Sequence, residues 1–372
     1  MSKKKKEKSN EKLVSQFVPE MGKRLAKYSA IEMIERVGDE AIKQVVASVL
    51  CGGNIRSLTE GLTRKRLSLS NAALFFTYLQ ASKNIENFAD KMSDIISNEM
   101  NHAKLSAEEK LYLEWMLGLT KKGIQNVLRG NEETTKEYLS NLEKSLINSA
   151  KQLTNMFGDL SGTLNIGKDS FWINWKSLLQ IFTAVGTQTL ALRGSEKSMY
   201  GKLFEKLILG SLLTILGFEH IEATNTKKMK KVFWLSSRGD KRESDATLLY
   251  KPGVGIRFDI GFIGPGNTEI SLDKVSRFER EMEFGRKKHF MSTIVIVDRI
   301  GARSRITDMA KLIDGRIVQM SMSQWITEIC EILRDTIGFK HPLLKMSDEQ
   351  SLNYVRNEIA KIDLRKFIDK DE

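Results

Sequence analysis

Residues 20–251 contain no proline; the four prolines of the chain stand at 19, 252, 265 and 342. Proline inside a helix removes a hydrogen bond and clashes with the preceding turn, so a proline-free span of this length permits long helices, and apolar spacing shows where they fall. Within LSNAALFFTYLQASKNIENFADKMSDIISNEM, Leu74, Phe75, Tyr78 and Leu79 recur every three to four residues, the period of a helix buried on one face. The next segment, SAEEKLYLEWMLGLTKKGIQNVLRG, opens with Ser106 and Glu109, spaced as a capping box, and closes at Gly130. In NEETTKEYLSNLEKSLINSAKQLTNMFG, Tyr138, Leu142, Leu146 and Ala150 form one stripe, with acids early and lysines late as the helix dipole favours. The stretch from about Glu20 to Leu153 is therefore predicted to be all-α.

The pattern changes after a cluster of Gly, Asn and Asp between Gly158 and Asp169, which reads as a domain boundary because Trp172 and Trp175 follow at once. From Gly194 onward helices and strands alternate, which implies an α/β domain. A helix is expected from about Glu196 to Leu216, stopped by Gly217. It is followed by a short strand at EHIEA, a basic stretch, then strands ESDATLLY and GIRFDIGFI joined by the turn KPGVG. TEISL is expected as a third strand, DKVSRFEREMEFGRKK as a helix, STIVIVD as a buried strand, ITDMAKLID as a helix, RIVQMSM as a strand, SQWITEICEILRDTI as a helix, and SDEQSLNYVRNEIAKIDLRKFIDKDE as a final helix and tail. The scheme is a basic arm at 1–18, a helical domain at 19–165, an α/β domain at 166–345 and a C-terminal helix and tail at 346–372.

Charge narrows the partner. Fifty-nine Lys and Arg against 47 Asp and Glu leave a net charge of +12, which points to a polyanion such as nucleic acid. No apolar run approaches the roughly 18 residues of a membrane span, and Lys3 to Lys6 open the chain instead of an apolar signal core; a cytoplasmic protein with no membrane role is expected. Cys51 and Cys330 are far apart and lack metal-ligand spacing, which argues against a disulfide framework or a zinc site. His102, His220, His289 and His341 are scattered.

Four acids carry the chemical signal. Asp259 and Glu269 flank the turn Gly264-Pro265-Gly266-Asn267, and a hairpin about that turn would set them on adjacent strands. Glu205 stands among the apolar positions Ile208, Leu209 and Leu212 of the preceding helix, either at the edge of the stripe in water or reaching over the sheet. Asp245 opens the first strand of the meander, and pairing about Gly253 would put it opposite Gly261. Carboxylates brought that close cannot all stay ionised without a cation, and oxygen ligands favour Mg²⁺. A carboxylate-held Mg²⁺ beside a basic surface suits phosphodiester hydrolysis, for which Lys274 is the nearest lysine. The basic stretch Lys227–Arg242, with Lys228, Lys231, Arg238 and Arg242, supplies candidate phosphate contacts; Phe233 and Trp234 within it either stack on bases or turn into the core. Arg193 and Lys197 flank the acid-bearing helix at its positive end.

In this order, Glu205, Asp259, Glu269-Ile270-Ser271, a helix after Lys274 and the strand STIVIVD resemble the core of the PD-(D/E)XK nuclease superfamily, in particular type II restriction endonucleases. The run DIGFIGPGNTEISLDKVSRFERE is similar to the CfrBI-like subgroup. The resemblance covers roughly residues 195–335. It implies a restriction-endonuclease-like core, a mixed sheet flanked by helices behind the all-α N-terminal domain. It also implies Mg²⁺-dependent hydrolysis of double-stranded DNA at a specific short site, a homodimer, and a cognate DNA methyltransferase in the same system. Catalytic roles would fall to Asp259, Glu269, Lys274 and Glu205, and metal binding to Asp259, Glu269 and Asp245. Two departures stand out: Ser271 occupies the position of the motif lysine, and Asp245 with Asp259-Ile260-Gly261 offers another placement of the two motif acids. The alternatives are a nuclease-like DNA-binding protein without catalysis and a repair or structure-specific nuclease.

Overall fold

The structure is a computed structural model that describes residues 13–27, 29–129, 131–222, 230–236, 244–262, 290–298 and 316–368. By contacts the chain forms two compact units, Met1–Tyr28 with Leu62–Glu196, and Ser29–Gly61 with Lys197–Glu372. Each unit thus draws on separated stretches of sequence.

The first unit is helical. It contains α1 (Glu20–Ala26), most of α4 (Ile55–Asn84), α5 (Phe88–His102), α6 (Ala107–Met116), a short turn α7 (Lys121–Gly123) that passes into a π-helical segment at Ile124–Leu128, α8 (Glu132–Phe157) and the first half of α9 (Trp175–Ile215). Leu74, Tyr78 and Leu79 of the expected helical stripe are buried, and Phe88, Met92, Ile96, Tyr112, Trp115 and, on the hairpin strand Asp169–Asn174, Phe171 are buried with them. Two polar contacts tie the helices. The Tyr78 hydroxyl donates to Gln180 Oε1 at 2.5 Å, and Gln180 Nε2 donates to the Ala89 carbonyl at 2.8 Å, linking α4, α9 and the start of α5. Arg66 on α4 pairs with Glu196 on α9 at 3.0 Å, with side chains 6% and 1% exposed.

The expected helix starting at Ser106 is shorter than its sequence suggested, ending at Met116 because Gly118 takes φ +71 and breaks the path before Gly130. Its capping box is present: Glu109 N–H donates to Ser106 Oγ at 3.2 Å and Ser106 N–H to Glu109 Oε2 at 2.8 Å. Ser106→Ala is expected to cost about 1 kcal/mol in thermal or denaturant unfolding. Between Gly158 and Trp175, where a boundary was expected, the chain folds into a hairpin, β1 (Ser161–Ile166) and β2 (Asp169–Asn174).

The helix expected at Glu196–Leu216 begins 21 residues earlier, because nothing between Trp175 and Glu196 stops it: Gly186 and Gly194 weaken helix propensity without supplying a cap. The predicted stop holds, since Gly217 sits at φ +83 directly after the helix.

The second unit is built on a six-stranded mixed sheet in the order β3-β4-β5-β6-β7-β8, comprising Glu219–His220, Val232–Leu235, Ala246–Lys251, Val254–Gly261, Phe290–Val297 and Arg316–Gln319. β4, β5 and β6 are antiparallel neighbours; β7 and β8 run parallel to β6. One face of the central strands is fully buried by Ala246, Leu248, Ile256, Phe258, Ile260, Ile294 and Ile296, which explains why β7 reads as a continuous apolar run, as strands in a covered parallel sheet do. Its helices include α2 (Ala30–Val37), α3 (Asp39–Leu50), the second half of α9, α10 (Trp325–Ile337) and α11 (Asp348–Lys361).

Helix α3 belongs with this C-terminal part for identifiable reasons. Trp325 Nε1 donates to the Val49 carbonyl at 3.0 Å, Arg365 pairs with Asp39 at 2.9 Å, and Lys43 Nζ donates to the Ala360 carbonyl at 3.0 Å. Trp325 is fully buried, so its indole N–H needs such a partner.

Candidate active site

The sheet register brings two of the sequence-marked acids together. β5 and β6 pair Thr247 with Arg257 and Ala246 with Phe258, and one step further along the same register Asp245 faces Asp259. This differs from the expected partner, Gly261. The turn closes tightly at Pro252-Gly253, with Lys251 paired to Val254 and Gly253 at φ +77, and an irregularity between Leu249 and Lys251 moves the pairing. Cross-strand neighbours of this kind hold their Cβ atoms roughly 5 Å apart.

Asp245 is anchored where the ladder ends. The Ile260 N–H donates to Asp245 Oδ2 at 2.8 Å, the Ser236 N–H donates to the Asp245 carbonyl at 3.1 Å, and the Ser236 hydroxyl donates to the Ser244 carbonyl. One carboxylate oxygen is thereby fixed to the backbone next to Asp259, and Asp259 itself is 8% exposed. By the period of two, Arg257 and Asp259 share one face of β6, and Thr293 and Val295 are their register partners on β7. This face is polar at its centre, in contrast to the wholly apolar face behind it.

Glu269, Ser271 and Lys274 lie outside the described residues. Among the described residues, β6 pairs with β5 on one edge and with β7 along its whole length on the other.

A further acid at this end of the sheet was not singled out from sequence. Asp298 directly follows β7, is 9% exposed, and its N–H donates to the Gly261 carbonyl at 3.2 Å. The signal was available: an acid just past the carboxyl end of a buried parallel strand lies where α/β sheets bind ligands. By alternation it falls on the Ile294 and Ile296 face of β7, opposite the face of Asp259.

The remaining candidates divide. Glu205 on α9 is half-buried, flanked by the buried residues Phe204 and Lys206. Lys231 is exposed at φ +53, and its backbone joins β3 to β5 by accepting from Glu219 N–H and donating to the Tyr250 carbonyl. Arg193 is exposed on α9 in the first unit. Lys228, Arg238 and Arg242 lie outside the described residues, as does the side chain of Lys197. Phe233 is fully buried, its ring 5.1 Å from His220 and 6.5 Å from Phe367, so of the two readings of that aromatic the core reading holds.

Among the described residues no group of three or more His, Cys, Asp or Glu forms a ready-made metal cage. A pair of facing carboxylates suits Mg²⁺ nonetheless, because that ion is commonly held by one or two carboxylates, with waters and substrate phosphate oxygens completing its shell. Two like charges on facing strands also favour a shared cation over two ionised groups alone. The residues present fit the ion.

Comparison with known proteins gives a consistent answer. The sequence profile of the CfrBI restriction endonuclease family matches residues 39–305. The Type II restriction enzyme CfrBI of Citrobacter freundii is 41% identical over 356 residues, covering 92% of this chain and 95% of that protein. No solved structure matches. No helix among the described residues is long and apolar enough to cross a membrane.

Proposed function

The chain belongs to the CfrBI restriction endonuclease family, and we propose that it acts as a type II restriction endonuclease, hydrolysing phosphodiester bonds in double-stranded DNA at a specific short site with Asp245 and Asp259 as its metal-holding pair. The observation that carries this reading is their cross-strand placement at one end of a mixed sheet, with Asp245 fixed by the Ile260 N–H. The antiparallel β4-β5-β6 meander followed by parallel β7 supports a PD-(D/E)XK type of core. In that frame Asp245 is the first motif acid and Asp259-Ile260-Gly261 the second element, with Gly261 where a lysine would stand.

When bound, Mg²⁺ supplies charge neutralisation at the phosphate and lowers the pKa of coordinated water. The chain's own contribution is positional. The two strands hold the carboxylates in fixed register, and the backbone bond to Asp245 Oδ2 limits rotation of that side chain. Glu205 would support waters of the ion, and Lys274 or Glu269 would complete the site. Lys228, Lys231, Arg238, Arg242, Arg193 and Lys197 are the phosphate contacts we propose, consistent with the +12 net charge. A homodimer placing one site on each strand, a cognate methyltransferase protecting host DNA, and a cytoplasmic setting complete the reading.

Incubating the full chain with plasmid DNA and Mg²⁺ tests it. Discrete fragments that disappear on chelation are expected. Tight binding without cleavage under Mg²⁺, Mn²⁺ or Ca²⁺ would instead favour a nuclease-like binding protein, and cutting confined to branched DNA a structure-specific nuclease.

A further inference from the structure

One exposed helix face in the first unit is apolar where a surface helix is ordinarily polar. On α9, Phe182 is 61% and Leu190 71% exposed, and between them stands Gly186, exposed and with open space where a Cβ would be. The three are spaced by four, so with Trp175 and Leu179 they line one side of the helix. At the Trp175 end the stripe continues onto the end of α8: the rings of Trp175 and Phe157 lie 6.5 Å apart, and Met156 and Phe157 are 70% and 69% exposed. An apolar strip of this extent marks an interaction surface.

We propose that this face of α9 is where a second copy of the chain docks, with the two-fold axis passing beside Gly186. The proposal rests on the homodimer reading above and assigns it a surface. The pattern is self-complementary about that glycine. In an antiparallel, isologous helix pair each residue n meets residue 372 − n of the partner helix, which sets Phe182 against Leu190, Leu190 against Phe182 and Gly186 against itself. A large residue on each side of a glycine is what ridge-into-groove packing along the i±4 rows requires for close approach.

Of the chain outside the described residues, the N-terminal segment 1–12, MSKKKKEKSNEK, is charged and has no run of apolar side chains to lay on such a strip. Size sets one further requirement. A stable interface buries on the order of 800 Å² per partner, more than a single helix face of about 27 Å length supplies, so Met156 and Phe157 must lie within the contact.

The test uses the full chain. Sedimentation equilibrium is expected to show a dimer for the wild type and a monomer for Leu190→Glu and Phe182→Glu, with dissociation constants raised at least 100-fold. In a Cys51→Ser background, Gly186→Cys should oxidise to a covalent dimer that still cleaves plasmid DNA, because the axis places residue 186 against its own copy. A dimeric wild type whose Leu190→Glu variant stays dimeric and whose Gly186→Cys variant does not cross-link overturns this surface and leaves the homodimer reading standing. A wild type that is monomeric with and without DNA overturns both.

Discussion

Asp259→Ala is expected to abolish cleavage of plasmid DNA, lowering the rate at least ~10³-fold, about 4 kcal/mol of transition-state stabilisation, while the protein stays folded and binds DNA. Asp259 is buried on the polar face of β6, and removing it takes one of two facing carboxylates from the proposed ion. The affinity for DNA, carried by the many basic side chains, should change little in Ca²⁺ or without metal. Asp245 permits a sharper version. Asp245→Asn keeps an oxygen that accepts the Ile260 N–H, so the end of the sheet stays closed and only the charge is lost. Equal loss of cleavage in Asp245→Asn and Asp259→Asn, with thermal stability unchanged or raised by relief of like-charge repulsion, identifies the pair as metal-holding. Full cleavage in either variant would show that this pair is not the centre of the site and would direct attention to Glu269 and Asp298.

The second large effect concerns stability. Arg66→Ala should destabilise the chain by about 3–5 kcal/mol, since it strips the partner from a carboxylate that is almost completely buried. The loss extends beyond the ion pair, because Arg66 also donates to the carbonyls of Leu25 and Ala26, at 2.7 Å and 3.2 Å from Nη2. The guanidinium therefore joins α4, α9 and the end of α1, a job that needs its planar fork. The check is urea unfolding of Arg66→Ala, Glu196→Gln and the double variant. Coupling between the two sites should make the double variant less destabilised than the sum of the singles. Strict additivity would mean that the pair contributes nothing beyond its separate contacts.

Local sequence signals specified much of this protein. The capping box at Ser106, the stop at Gly217, the apolar run of β7 and the turn at Gly253 each depend on chemistry within a few residues, so period and composition sufficed to find them. The acids Asp245 and Asp259 were also visible, as charges in otherwise apolar strands. The CfrBI relationship over 92% of the chain agrees with the resemblance drawn from residues 259–281.

What sequence could not decide was which acid faces which. The register that sets Asp245 against Asp259 turns on a shift of pairing beside a two-residue turn. A side-chain period of two makes every such shift consequential. Strand order likewise depends on non-local pairing: β7, 29 residues past β6, pairs with it along its whole length. The assignment of α3 to the C-terminal unit has the same cause, because the indole of Trp325 and the guanidinium of Arg365 find their partners about 300 residues upstream. Sequence by itself determined the capping box at Ser106, the helix stop at Gly217 and the buried strand β7; tertiary pairing alone decided that Asp245 and Asp259 face each other, because hydrogen bonding between strands sets the register.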